Sequence, residues 1–494
     1  VSAARRRSRG LGRAAFALAL VAGAGCSTEA DDAPVPRHVV MIVIDTLRAD
    51  ALGCYGAEGI LEPDGSRRSP TPNLDALGER GIRFASVESS SSWTVTSAVS
   101  YLSGMTPMEH GVNSKLISAI PDDVPLLPMA LDEAGFETAA FVCNPMLGPK
   151  LGFDRGFDTF DRDKFAPAAP AVNKALAWAK ERVAASPDRR LFLYVHLFDP
   201  HWPYDPAPEE AARFALPESP LSPEQQVTAS MGALTGNVEA AQQLLDWVPW
   251  CLDAYSACVT TADRETGRLL KGLEALGILD DALVVATSDH GEEFGEHGAI
   301  GHAKQLYAES LRVPLLIAGP GIPSGRLATE PSELRNLAAT VSSHLELNGE
   351  CRVRGLDLLD PAARARGASQ DHVAAVQQGI LPREEGGFRR VLQMMSLRRG
   401  RERAIVGFET RFEGGEAWIE TLDESGYSLG RRRADLTGAE GPILPLLAEL
   451  QERAESARLG AELGASDLDE RKTQLRELGY FGASEDDETD DEQR

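Results

Sequence analysis

HVVMIVIDTLRAD, His38 to Asp50, contains an apolar run from Val39 to Ile44 that ends on the carboxylate of Asp45. Its valines and isoleucines favour a strand, and the lack of polar alternation means that both faces are covered, as in parallel sheets. A carboxylate at the C-terminal edge of such a strand stands where open α/β sheets receive their ligands. On this stretch alone two readings are open. Asp45 either caps the next helix or holds a ligand.

Working outward, the same pattern recurs. Thr138–Val142 reads as a strand and runs to Asn144. Leu191–His196 reads as another, leading into Asp199-Pro200-His201. A third, Ala282–Ala286, is followed by Ser288-Asp289-His290. Carboxylates and imidazoles are hard and borderline metal ligands. His196 reads equally as a core residue, whereas His201 is held between two prolines. Helices are predicted from Pro72 (with Thr71 as its cap), over Leu126–Ala134, Ala169–Ala184 and Cys258–Leu276, and over Glu330–Glu346. Strands alternating with helices predict an α/β fold, and Val313–Ile317 is expected to close its parallel sheet.

Hydroxyl residues cluster from Ser89 to Ser97, ahead of a helical pattern that ends at Gly104. Such a cluster reads as an ordinary cap or as a place where free amides welcome an oxyanion, with Thr94 at or just before the helix end. Of the nine histidines, six fall in the strand-end and loop motifs: His110, His196, His201, His290, His297 and His302.

The 494 residues suit a large α/β domain, expected over 38–374, with a smaller C-terminal unit over 375–482. Short strands at Val391–Ser396, Ala404–Phe408 and Ala417–Leu422 predict a small antiparallel sheet there, accompanied by a helix. Arg398-Arg399 and Arg431-Arg432-Arg433 read as solvated faces. Residues 483–494 are acidic and expected to be disordered. A net charge of -25 argues against nucleic acid as a partner and against electrostatic adhesion to anionic membranes.

Residues 1–26 have the layout of an export signal: five arginines by Arg13, then a small and apolar run to Ala24. Cys26 closes it and resembles the lipidated cysteine of a bacterial lipoprotein, with residues 27–37 as a tether. The expected location is the periplasm or an outer-membrane anchor. Five other cysteines remain, an odd number, so one at least has no intrachain disulfide partner. Cys251 and Cys258 are two helical turns apart, too far for an undistorted bridge.

In order, IDTLRAD, LGCYG, TPNLDAL, SSWTVTSAVSYLSG, HGV, GFDRGFD, HLFDPHWPY, TSDHGEEFGEHG, GHAKQLY and LRVPLLIAGP resemble the sulfatase family of the alkaline-phosphatase superfamily. The resemblance covers residues 38–345 and returns weakly at Leu475–Tyr480. It implies a mixed, mainly parallel sheet flanked by helices, with a small C-terminal antiparallel subdomain. It also implies cleavage of sulfate or phosphate esters at a divalent metal held by Asp45, Asp289 and His290. Calcium, zinc, manganese and magnesium are all compatible with that donor set.

Family sulfatases carry a cysteine or serine oxidised to formylglycine, in the pattern C/S-x-P-x-R. Counting back from Gly104, that position is Thr94, with Thr96 for the proline and Ala98 for the arginine. Threonine cannot form formylglycine, because its β-carbon bears a methyl group. In phosphate-transferring relatives a threonine is the nucleophile, so Thr94 is expected both to ligate the metal and to attack. By resemblance, His201 is expected as general acid and His302 as an oxyanion contact or ligand. Asp199, with His201 and His302, is a candidate set for a second metal. Lys115 and Asn144 are candidates to orient the anion. The expected substrate is a small anionic ester: a sulfated or phosphorylated sugar, a lipid head group or a nucleotide. The competing reading is a fold kept for binding after loss of the chemistry.

Overall fold

The structure is a computed structural model that describes residues 34–61, 64–112, 118–222, 225, 228–229, 238–382, 388–408, 416–423, 428–434, 461–462 and 473. The export segment with Cys26, Lys115, the 475–480 motif and the acidic tail lie outside the described residues. Among the described residues, no helix is long and apolar enough to cross a membrane.

His38–Ile44 is a strand with every residue buried. It lies inside an eight-stranded sheet, ordered Arg326–Ala328, Ile82–Phe84, Leu315–Ala318, Ala282–Thr287, His38–Ile44, Arg190–Leu197, Phe136–Val142 and Thr159–Arg162. The five strands from Ala282–Thr287 to Thr159–Arg162 are all parallel. Leu315–Ala318 pairs antiparallel with Ala282–Thr287, so the segment expected to close a parallel sheet reverses direction instead. Nor is it the edge, since Ile82–Phe84 and Arg326–Ala328 lie beyond it. An apolar run specifies burial and says nothing of strand direction, which is why the sequence alone misleads here.

Helix Ala168–Ala185 packs on the strands Phe136–Val142 and Arg190–Leu197, and Pro72–Arg80 packs on Leu315–Ala318. Thr71 does not cap the latter helix. Its first amides instead donate to the carboxylate of Asp263, with Leu74 N at 2.8 Å. Asp263 belongs to a helix that starts at Val238, well ahead of the expected Cys258, and runs through Pro249 to Ala275. Part of the expected 330–346 helix is a short strand and a 3-10 turn, leaving Leu337–His344 as α-helix.

A second sheet is antiparallel and five-stranded: His372–Pro382, Phe388–Arg399, Glu402–Phe408, Glu416–Leu422 and Ser428–Ala434. Arg398 is not on a solvated face. It is buried, and its guanidinium bonds Glu88 on the strand Val87–Glu88 of the main domain. Arg403 reaches the same carboxylate oxygen at 2.5 Å and Glu420 at 3.2 Å. A buried charge persists only when paired, and the expectation for Arg398 failed because its partner is 310 residues away in sequence. Arg399 pairs with Asp371 near the surface. The five described cysteines are all unbridged.

Candidate active site

The parallel strands end in register. Ile44 lies beside Leu197, Val43 beside Thr287, and Val142 beside His196. The residues just past each end therefore meet in one place. Asp45, Asp289 and His290 each offer a ligand atom within 4.8 Å of the others, and all three are buried. His290 Nε2 lies 3.4 Å from Asp289 Oδ2 and 3.8 Å from Asp45 Oδ1.

The other atoms of these side chains are held in place. Asn144 Nδ2 donates to Asp45 Oδ2 at 2.6 Å, while Asn144 Oδ1 accepts from Met146 N. Asp289 Oδ1 accepts from the amides of Thr46 at 3.3 Å and His290 at 3.0 Å. His290 Nδ1 donates to the carbonyl of Gly291 at 3.0 Å, which fixes the tautomer with a lone pair on Nε2. Gly291 is required at that turn, because a Cβ there would stand 2.0 Å from the carbonyl oxygen of Glu309.

Asp45 Oδ1 and Asp289 Oδ2 have no hydrogen-bond partner among the described residues, although both are fully buried. Burial and the nearby Asp289 charge push the Asp45 carboxyl well above its ordinary value. Burial opposes ionisation of Asp289 too, but the imidazoles of His290, His196 and His302 hold it below the usual carboxylate range. Two unpartnered carboxylate oxygens facing one imidazole lone pair are a donor set that fits a divalent cation. The described residues form one such group, and it excludes Asp199.

Thr94 opens the helix Thr94–Ser103, every residue of which is buried. Its Oγ1 lies 3.1 Å from His290 Nε2. The threonine found by counting thus sits against the donor set, at a helix N-terminus whose amides point outward. Ser97, one turn on, donates to the carbonyl of Asp289 at 2.6 Å, tying this helix to the ligand loop.

His201 and His302 join the same cluster. Their ring centroids are 4.7 Å apart, and His302 is 4.5 Å from His290. His201 is stacked on Phe198 and donates from Nδ1 to the carbonyl of Trp202. Burial pushes its imidazole well below the ordinary range.

Asp199 is turned elsewhere. Its Oδ2 accepts from Ala168 N at 2.8 Å, at the start of the helix Ala168–Ala185. Burial raises it to about 7. Asp199 is thus not gathered with His201 and His302 into a second metal group. His110 and His297 serve other contacts, with Ser100 and Glu309 respectively. His196 is buried, neither of its nitrogens has a hydrogen-bond partner among the described residues, and its Nε2 lies 4.0 Å from Asp289 Oδ2.

Glu292 was not singled out by the sequence. It is fully buried, and its Oε1 lies 2.9 Å from His302 Nδ1. Burial raises its carboxyl to about 8. The signal was present: an acidic residue two places after Asp289-His290 faces the same way as the ligands only if the loop turns tightly, which Gly291 permits.

The family model described as Sulfatase matches residues 37–347. An ulvan-active sulfatase of Formosa agariphila is 27% identical over 326 residues, covering 60% of this chain and 58% of that protein. The chain therefore matches less than two thirds of that relative's length. An endo-4-O-sulfatase of Bacteroides thetaiotaomicron is 23% identical over 360 residues, covering 62% of this chain and 68% of that protein. The structure of a phosphonate monoester hydrolase of Agrobacterium radiobacter superposes with a TM-score of 0.62 at 17% identity, covering 85% of this chain and 95% of that one.

Proposed function

The chain belongs to the sulfatase family, and on that premise we propose that it is a metal-dependent hydrolase of sulfate or phosphate esters with Thr94 as its nucleophile. The observation that carries this reading is the 3.1 Å separation of Thr94 Oγ1 from His290 Nε2, inside the group formed with Asp45 and Asp289. A divalent cation held by these residues supplies positive charge against the ester oxygens and lowers the pKa of the threonine hydroxyl. Asp45, Asp289 and His290 hold it, Asn144 and the Gly291 carbonyl keep two of those ligands oriented, and Thr94 attacks the central phosphorus or sulfur. The helix amides behind Thr94 favour the ester's negative charge.

Phosphoesters are favoured over sulfate esters. A formylglycine enzyme releases its sulfate by collapse of a hemiacetal, which a threonine ester cannot do. The ester on Thr94 is instead broken by water, in the manner of phosphoryl-transfer enzymes. Substrates of the class are small anionic esters: a sulfated or phosphorylated sugar, a lipid head group or a nucleotide. Lys115 is a further proposed anion contact. Export and a lipid anchor at Cys26 complete the proposal and place the enzyme at the cell envelope.

The test is a panel of arylsulfate, phosphomonoester and phosphodiester reporters, with each metal restored after chelation, run on the protein and on Thr94→Ala. Metal-dependent phosphoester turnover that disappears in the variant supports the proposal. Sulfate turnover that survives in the variant overturns it.

A further inference from the structure

Asp45, Asp289 and His290 are buried, so an ester must reach them along a wall that meets solvent at the C-terminal edge of the sheet. A row of rings runs outward from His290. His302 lies 4.5 Å from it between centroids, His201 lies 4.7 Å from His302, and Phe198 is stacked on His201 at 4.3 Å. Phe165 ends the row, in a T-shaped contact with Phe198 at 5.9 Å. Exposure rises along it, from none at His290 to 7% at Phe198 and 37% at Phe165.

A lone apolar side chain at a surface carries nothing by itself. Phe165 is the aromatic one among the large apolar side chains exposed in the described residues. Its loop follows the edge strand Thr159–Arg162, so it leaves the sheet on the same edge as Asp45. Phe165 N donates to Cys143 O at 2.9 Å, next to the Asn144 that orients Asp45. Phe165 is thus tied to the site twice, through its backbone and through its ring. Its φ of 60° is one that a residue with a Cβ adopts only at a cost. Thr46 and Ala303 share such a φ, and they directly follow Asp45 and His302.

We propose that Phe165, braced by Phe198, is the platform on which the ester's leaving group rests, and that it selects a ring with a flat apolar face, an arene or a pyranose, over a short open-chain alcohol. This deepens the ester-hydrolase reading and rests on it for calling that ring a leaving group. The strained backbone leaves a phenyl ring more than a third exposed, which serves a contact that the protein alone does not make. An aromatic face receives an arene by stacking and a pyranose through the apolar hydrogens on one side of its ring. A glycerol-sized group has no flat face to lay against it. The contact is made before and during the reaction alike, so it acts on binding and reads out in KM more than in kcat. Phe165 is therefore a specificity-determining residue.

The test reads binding and turnover separately. With each divalent metal restored, calorimetry would compare phenylphosphonate with methylphosphonate, anions that share a head group and offer no ester to cleave. Benzenesulfonate and methanesulfonate do the same for a sulfate site. The parent is expected to bind the phenyl compound about tenfold more tightly. Phe165→Trp should keep that preference. Phe165→Leu, apolar but not flat, should lose most of it. Phe165→Gly should lose it altogether yet fold normally, because glycine adopts φ near 60° without strain. In turnover, Phe165→Gly should raise KM for phenyl esters about tenfold more than for methyl esters. Glucose 6-phosphate against glycerol 3-phosphate, compared in the same variants, tells the two rings apart. A preference that depends on Phe165 there assigns a pyranose, and its absence beside the phenyl preference assigns an arene. Equal affinity for phenyl and methyl compounds in the parent, or a preference that survives in Phe165→Gly, would overturn the platform. A preference lost in Phe165→Gly, in a protein that cleaves no ester, would keep the platform and overturn the hydrolase.

Discussion

Thr94 Oγ1 and His290 Nε2 are 3.1 Å apart although 196 residues separate them in sequence. Because His290 Nδ1 is committed to the Gly291 carbonyl, the threonine hydroxyl donates and the imidazole accepts. The hydroxyl therefore already points at the donor set that includes Asp45 and Asp289. Thr94→Ala is expected to lower kcat/KM by on the order of 10³-fold or more, while Thr94→Ser keeps measurable turnover. Steady-state assays of the two variants check this. An alanine variant that turns over as the parent does would exclude the hydroxyl from the reaction.

Metal removal is expected to destabilise the protein as well as silence it. Asp45 Oδ1 and Asp289 Oδ2 are buried and otherwise unpartnered, so their repulsion is relieved by a cation. A cation at a hundredfold excess over its Kd stabilises by about 2.7 kcal/mol, and the melting temperature should rise accordingly. Burial keeps a proton on Asp45 to higher pH than usual, and binding must displace it. Affinity should thus increase with pH, with proton release visible when calorimetry is repeated in buffers of different ionisation enthalpy. A pH-independent affinity would contradict this.

The strand ends were legible because each apolar run is contiguous and its polar terminus is conspicuous. Asp45, Asp289 and His290 are conspicuous at those ends, and their role as ligands is what the family resemblance implied. Thr94 was located by laying the family pattern on the sequence back from Gly104, a glycine with φ of 80° whose Cβ would meet Arg354 O at 1.8 Å. What was hidden depends on partners distant in the chain. Arg398 looked solvated until Glu88 was seen beside it. Asp199 looked like a ligand until the amide of Ala168 was found at its oxygen. Leu315–Ala318 carried no mark of its direction.

Asp199 supplies a test of metal number. Its carboxyl is raised by burial from 3.8 to about 7, and it accepts from Ala168 N. A carboxyl raised on folding contributes stability below its unfolded value, and that contribution is lost as pH rises through the folded value. Asp199→Asn retains an acceptor and never ionises. It should match the parent near pH 4 and become the more stable of the two above about pH 7. The variant should also keep a stoichiometry of one cation per chain. Loss of a second equivalent by elemental analysis would return Asp199 to the ligand set.

Glu88 shows the opposite sign. Burial raises its carboxyl, but Arg398 and Arg403 more than reverse this and hold it at about 2, against 4.5 for the free group. A depressed carboxyl contributes stability above its unfolded value and loses it as pH falls toward the folded one. The contribution is about 3 kcal/mol at neutral pH, and its loss should appear as acid destabilisation between about pH 5 and 2. Arg403→Met leaves Glu88 without one of its two guanidinium partners and removes from Glu420 the bond that Arg403 makes at 3.2 Å. Removing one partner of a buried ion pair costs about 3–5 kcal/mol. Urea melts at pH 7 should show that loss. Ala375 N also donates to Ser90 O at 3.0 Å, so the C-terminal sheet is bonded directly to the loop that leads into Thr94. Activity in Arg403→Met should therefore fall at lower urea than the helical circular-dichroism signal does. Coincident loss of the two would mean that the sheet supports the fold as a whole and not the nucleophile loop in particular.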